Sequence, residues 1–160
     1  MESVAIYPGS FDPMTLGHLS VINRGLSVFD KLHVVVVHNP SKNALFTSEE
    51  RVGMIRKATA LLPGVEVSSL TEGLLVDRAK VLGANAILKG FRTAGDIEYE
   101  LPMAHMNRNL SGLETVFLPS DPQHGYVSSS LVKEVASLGG DISGYVTPEV
   151  GALLRERLAK

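Results

Sequence analysis

Four consecutive valines, Val34-Val35-Val36-Val37, limit what this chain can fold into more than any other feature. Successive side chains of a strand point to opposite faces, so a strand without polar alternation has to be covered on both sides. The rest of the chain supplies that cover. Strand-like runs fall at residues 3–7, 33–38, 65–68, 86–89 and 115–118. Helix-like segments lie between and after them, at 16–29, 48–62, 75–82, 96–109, 129–138 and 148–159. The spacing of Val52, Ile55, Thr59 and Leu62 makes one helical stripe, and Thr47 or Ser48 is placed to cap it. Pro148 after Thr147 starts the last helix in the same way. Strands alternating with helices predict an α/β fold: a doubly wound, Rossmann-like parallel sheet of five strands, with helices on both faces and a C-terminal helix.

The chain reads as one domain over residues 1–160, since no repeat, low-complexity tract or linker divides it. A formal net charge of -2 argues against bulk attraction to nucleic acid or an anionic membrane. With no cysteine, disulfides and thiolate zinc sites are excluded, which fits a reducing compartment. No signal peptide and no membrane-spanning apolar run is expected. Cations that bind an anionic ligand therefore have to be clustered locally.

Doubly wound sheets bind ligands beyond the carboxyl ends of their strands. There the sequence places Gly9-Ser10, then His38-Asn39-Pro40-Ser41-Lys42, then Lys89-Gly90-Phe91-Arg92, and finally a loop leading to Val127-Ser128-Ser129-Ser130. The first of these loops runs through Phe11-Asp12-Pro13 to Gly17-His18 at a helix start. Unpaired amides at helix starts attract anions, Ser and His donate to phosphate oxygens, and Arg grips two oxygens at once. Neither Gly-x-Gly-x-x-Gly nor Gly-Lys-Ser/Thr is present, which disfavours a dinucleotide fingerprint and a P-loop. What remains is a rim suited to chemistry on phosphate.

The same residues resemble the bacterial pantetheine-phosphate adenylyltransferases of the nucleotidylyltransferase superfamily. The matching pieces are Tyr7-Pro8-Gly9-Ser10-Phe11-Asp12-Pro13, Gly17-His18, Pro40-Ser41-Lys42, Phe46-Thr47 with Glu49-Glu50-Arg51, Lys89-Gly90-Phe91-Arg92, Glu98-Tyr99-Glu100, Ala104-His105-Met106-Asn107 and Ser128 to Val135, in the family's order and across nearly the whole chain. The resemblance implies transfer of an adenylyl group from ATP to 4′-phosphopantetheine, giving dephospho-coenzyme A and pyrophosphate, the penultimate step of coenzyme A synthesis. It implies Mg²⁺ as cofactor, entering with the nucleotide since no ligand cluster is visible in the chain. It also implies a cytoplasmic homohexamer and feedback inhibition by coenzyme A.

Carried over residue by residue, the resemblance implies that His18 meets the α-phosphate in the transition state, with Ser10 and Lys42 completing the catalytic set. Ser10, Lys42, Leu75 and Lys89 fall where the family holds phosphopantetheine. Ser10, Phe11, His18, Gly90, Phe91, Arg92, Glu100, and His124, Gly125, Tyr126, Val127, Ser128, Ser129 and Ser130 fall where it holds ATP. Position 10 is Ser where many members have Thr, Lys89 and Phe91 replace Arg and Leu, and His124 replaces Trp. On the residues alone, Glu100 belongs to a solvated helical turn and Leu75 reads equally well as core. His105 and Met106 read as packing or a subunit contact. Two other readings compete: a sister enzyme acting on nicotinamide mononucleotide or glycerol phosphate, and a nucleotide-binding module without turnover.

Overall fold

The computed structural model describes residues 2–159. Five strands, β1 (Val4–Gly9), β2 (Lys31–Val37), β3 (Val65–Leu70), β4 (Ala86–Phe91) and β5 (Glu114–Pro119), form one sheet in the order β3-β2-β1-β4-β5. All pairings are parallel. The helices are α1 (Leu16–Gly25), α2 (Ser48–Ala58), α3 (Leu75–Val81), α4 (Ala94–Ser111), α5 (Ser129–Ser137) and α6 (Pro148–Leu158), with a 3₁₀ turn at Pro122–His124. The expected five-stranded parallel sheet is therefore present.

Burial explains the valine run. One face of the sheet places Ala5, Tyr7, Val34, Val36 and Leu88 against Val21 and Ile22 of α1 and Val52 and Ile55 of α2. The other face places Val4, Ile6, Val35 and Ile87 against Ala79 of α3 and Ala84. Consecutive valines thus enter different cores, and each is stabilised by leaving water. A third cluster joins α5 and α6, through Val132, Val150 and Leu154, to Phe46 and Met54.

Element ends differ from the sequence reading for local reasons. α1 stops at Gly25, not Phe29. A Cβ at Gly25 would lie 2.8 Å from both Leu32 Cδ1 and Leu88 Cδ2, so this turn sits close against the sheet and the chain then bends toward β2. α2 ends at Ala58, because the Thr59 hydroxyl donates to the Ile55 carbonyl at 2.8 Å and closes the last turn. Leu62 still packs on the core from outside the helix. Thr47, not Ser48, caps α2, and the Glu50 carboxylate accepts in return from the Thr47 amide. α4 begins two residues earlier than expected because Thr93 and Asp96 form a second such reciprocal cap.

Topology places the site. The chain moves from β1 to β2 to β3 in one direction, then crosses back to lay β4 on the far side of β1. The loops leaving β1 and β4 diverge there, and a crevice opens between their carboxyl ends.

Candidate active site

The crevice is a cavity of about 350 Å³. Its floor is the end of β1 (Tyr7, Pro8, Gly9) and of β4 (Lys89, Gly90, Phe91), and the start of α1 (Thr15, Gly17, His18) forms one wall. Asp96, Tyr99 and Glu100 of α4 close a second wall, and His124, Val127, Ser128 and Ser129 a third.

The β1–α1 loop is shaped by one residue. Phe11 has φ +49°, in the left-handed region that non-glycine residues rarely occupy. This folds its ring back over Gly9, where a Cβ would lie 2.9 Å from the ring atoms, so glycine is required there. The buried ring meets Tyr7 edge-on at 5.4 Å and His18 at 5.0 Å between centroids. Phe11 thus acts as a wedge that fixes the imidazole.

His18 is held from its other side by the helix start. Thr15 caps α1: its hydroxyl accepts from the His18 amide at 3.3 Å, and the Thr15 amide donates to His18 Nδ1 at 3.0 Å. A backbone N–H can only donate, so Nδ1 is the unprotonated nitrogen and the ring proton resides on Nε2. Burial, and then the nearby Arg92 charge, push the imidazole down to about 4. At neutral pH His18 is a neutral ring in one fixed tautomer that offers a single N–H.

The cations are pre-oriented by acids. Lys89 Nζ lies 3.2 Å from a Glu100 carboxylate oxygen. Arg92 Nε lies 3.4 Å from Asp96, and its Nη1 donates to the Val127 carbonyl at 3.2 Å. Burial pushes the Asp96 carboxyl up, but the Arg92 and Thr93 amides and the Arg92 guanidinium outweigh it and hold the group below the ordinary aspartate value. Lys89 and Arg92 are thus matched by Glu100 and Asp96 along the cavity wall.

Two further contacts lock the neighbouring loops. The buried Asp12 carboxylate accepts from the Leu45 and Phe46 amides at 2.9 and 3.0 Å and from Lys133 at 3.0 Å. Burial pushes this carboxyl up, yet the two amides and Lys133 bring it below the usual range. Ser129 Oγ donates to the Pro13 carbonyl at 2.7 Å, and Ser128 caps α5 by accepting from the Leu131 amide at 3.1 Å.

Of the residues singled out in the sequence, Phe11, His18, Lys89, Gly90, Phe91, Arg92, Glu100, His124, Val127, Ser128 and Ser129 line this one cavity. Ser10, Lys42, Leu75, Gly125, Tyr126 and Ser130 do not. Lys42 is exposed on the loop after β2. Leu75 packs against the sheet-face cluster that holds Val35. Tyr126 is exposed beside Tyr145 at 6.0 Å, bordering a small apolar groove. His105 and Met106 are exposed on α4. Thr15, Asp96, Tyr99 and Ser120 line the cavity without having been singled out as ligands. A signal for Thr15 was present, since Thr-x-x-His has the spacing of a reciprocal cap with imidazole in place of carboxylate.

Residues 6–135 match the model of a family described as cytidylyltransferase-like. A protein of Nocardioides sp. named phosphopantetheine adenylyltransferase is 54% identical over 155 residues, covering 97% of each chain. Proteins of the same name from Corynebacterium diphtheriae and Caldanaerobacter subterraneus are each 49% identical, over 96% and 98% of this chain and 97% and 98% of theirs. Among solved structures, a putative nicotinate-nucleotide adenylyltransferase from Vibrio parahaemolyticus superimposes with a TM-score of 0.69 at 25% identity, covering 99% of this chain and 95% of its own.

Proposed function

The chain belongs to the cytidylyltransferase-like family and, within it, to the phosphopantetheine adenylyltransferases, and from that premise we propose how its residues carry out the reaction. The enzyme joins ATP and 4′-phosphopantetheine into dephospho-coenzyme A and pyrophosphate. An oxygen of the phosphopantetheine phosphate attacks the α-phosphorus of ATP. The bond from that phosphorus to the oxygen bridging to the β-phosphate breaks, and pyrophosphate leaves with the electron pair. The attacking phosphate is already a nucleophile, so no side chain needs to form a covalent intermediate. Catalysis rests on alignment and on stabilising the charge that develops.

His18 does the second of these. Its Nε2–H donates to a non-bridging α-phosphate oxygen as negative charge builds there. The observation that carries this reading is the Thr15 amide bond to Nδ1, which fixes the tautomer that can donate. Lys89 places the attacking phosphate, and Arg92 and the amides at the start of α5 hold the nucleotide phosphates. Ser10 and Lys42, on the loops after β1 and β2 and outside the cavity lining, complete the catalytic set, and Leu75 lines the path of the pantetheine arm. Glu100, Gly90, Phe91 and the segment from His124 to Ser130 surround the nucleotide. Among the described residues no group of three or more His, Asp or Glu is arranged to hold a metal, and Asp96 and Glu100 are both engaged by cations. The donor set therefore fits Mg²⁺ arriving as part of the nucleotide substrate better than a resident ion.

The homohexamer is part of the same proposal. Tyr99, Met103, Met106 and Leu110 are exposed at helical spacing along α4, an apolar stripe suited to a second copy of this chain. Feedback by coenzyme A and a cytoplasmic setting complete it. Among the described residues no helix is long and apolar enough to cross a membrane.

Pyrophosphate release with ATP and Mg²⁺ tests the reading, with 4′-phosphopantetheine, nicotinamide mononucleotide and glycerol phosphate as separate acceptors. Release with phosphopantetheine alone is expected. Release with either other acceptor and none with phosphopantetheine overturns it.

A further inference from the structure

Arg51 is a cation in the interior without an anion. Only 3% of it is exposed, and it makes no ion pair with a carboxylate among the described residues. Burying an unpaired charge is costly, so its hydrogen bonds have to satisfy it. Nε donates to the Thr47 carbonyl at 3.2 Å and Nη2 to Ser48 Oγ at 3.3 Å, both at the start of its own helix. Nη1 donates to the Ser10 carbonyl at 2.8 Å, the shortest of the three and the one that leaves α2.

That carbonyl belongs to the peptide joining Ser10 to Phe11, where the backbone enters the left-handed region. In a trans peptide the C=O and the N–H point in opposite directions. Anchoring the Ser10 oxygen on α2 therefore turns the Phe11 N–H away from α2, and Phe11 is itself a lining residue of the cavity. No protein acceptor takes that N–H among the backbone bonds of the described loops. The guanidinium also draws electron density toward the carbonyl oxygen, which makes the N–H of the same peptide a stronger donor.

We infer that Arg51 is a positioning residue for the adenylyl transfer: from behind the site it fixes and polarises the Ser10–Phe11 peptide so that its N–H serves as a preset donor to a nucleotide phosphate oxygen. The inference rests on the reaction assigned above. It assigns Arg51 no contact with substrate. Its effect passes through one peptide plane, and Lys, with a single ammonium, cannot hold Thr47, Ser48 and Ser10 together in the same fork.

One peak reads both ends of that peptide. Ser10–Phe11 is the only Ser-Phe pair in the chain, so protein labelled with ¹³C-carbonyl serine and ¹⁵N-phenylalanine gives a single one-bond-coupled signal. In the wild type that signal is expected to shift on adding ATP and Mg²⁺. In Arg51→Lys and Arg51→Met the carbonyl shift of the free protein moves, the response to ATP shrinks, and kcat falls about 10²-fold, the size of losing one preset donor. KM for phosphopantetheine stays within about 2-fold, at a temperature where melting shows each variant folded. Arg51→Lys is the safeguard should Arg51→Met not fold. An equal response to ATP in wild type and Arg51→Lys, or a kcat that follows only the folded fraction, overturns the role of Arg51 and leaves the reaction standing. A wild-type signal indifferent to ATP in an enzyme that turns over overturns the donor itself. Absence of turnover with phosphopantetheine in the wild type overturns the reaction.

Discussion

Replacing His18 separates two jobs that one ring performs. The ring lines the cavity and Nδ1 takes the Thr15 amide at 3.0 Å in the cap of α1, which leaves Nε2–H as the donor of the proposed mechanism. His18→Ala removes both. The loss of one preset donor to developing charge is expected to lower kcat by about 10²–10³-fold. The loss at Nδ1 leaves the amide of Thr15, which is 2% exposed, without a partner, at a cost of about 1–3 kcal/mol. Thr15 still caps the His18-position amide with its hydroxyl, so the helix itself is expected to persist. His18→Gln divides the two effects. Glutamine is a favoured residue three places after a Thr cap, and its carbonyl can take the Thr15 amide. Stability should return to within about 0.5 kcal/mol of wild type, while the displaced amide donor leaves kcat down by at least about 10-fold. Saturating pyrophosphate-release rates and chemical denaturation at pH 7 make the comparison. If His18→Ala turns over within about 3-fold of wild type, the transition-state role falls. If His18→Gln recovers rate and stability together, His18 acts only through the helix cap.

Lys89→Met should raise KM for phosphopantetheine by about 10–100-fold with a smaller change in kcat, since a charge-assisted bond to phosphate contributes about 1.5–3 kcal/mol; an unchanged KM would place that phosphate elsewhere. Asp12→Ala should cost about 3–5 kcal/mol because it strands Lys133 and frees the Leu45 and Phe46 amides, and limited proteolysis should then cut the segment before Phe46 faster than in wild type. The His18 ring sits at about 4 in the folded chain against 6.5 unfolded, so between those values the unfolded state binds more protons. Stability should therefore rise with pH through that window, be complete above it, and be lost as pH falls, by at most about 3 kcal/mol; His18→Gln should lack this increment when denaturation at pH 4.5 is compared with pH 7.

The sheet was legible because its signal is hydrophobic and local. Val34 to Val37 need two covering layers whatever the rest of the chain does, and the alternation of elements leaves few topologies that supply them. The caps at Thr47 and Thr147 followed from residue type, whereas β2 starts at Lys31, two residues before the expected position, and the Thr93 cap of α4 was missed. Helix ends were less legible. The end of α1 depends on how near Leu32 and Leu88 approach Gly25, a tertiary distance that no run of residues encodes locally. The cavity followed the same division. Lys89, Gly90 and Arg92 stand at a strand end and could be read there. Tyr99 and Glu100 reach the wall through the way α4 leaves β4, which the Thr93–Asp96 cap and the Lys89–Glu100 and Arg92–Asp96 pairs hold.

The residues hardest to read were those that act from behind. Asp12 and Arg51 stand within the matching motifs of the sequence with no role attached to either, yet one is 7% and the other 3% exposed. Both grip backbone: Asp12 takes the amides of Leu45 and Phe46, and Arg51 takes the carbonyl of Ser10. Backbone groups carry no side-chain signature, so their partners leave no motif of their own. The consequence for the site is physical. Phe11 sits in a backbone conformation costing of order 1 kcal/mol or more, and such strain persists only where the surroundings over-determine it. Here the over-determination is visible: the ring is wedged between Tyr7 and His18, the preceding carbonyl is tied to α2, and the following carboxylate is tied to α5 and to the segment before α2. A loop so held does not have to reorganise when charge moves between two phosphates, and in the proposed mechanism that fixed orientation is what lets a neutral donor such as His18 act.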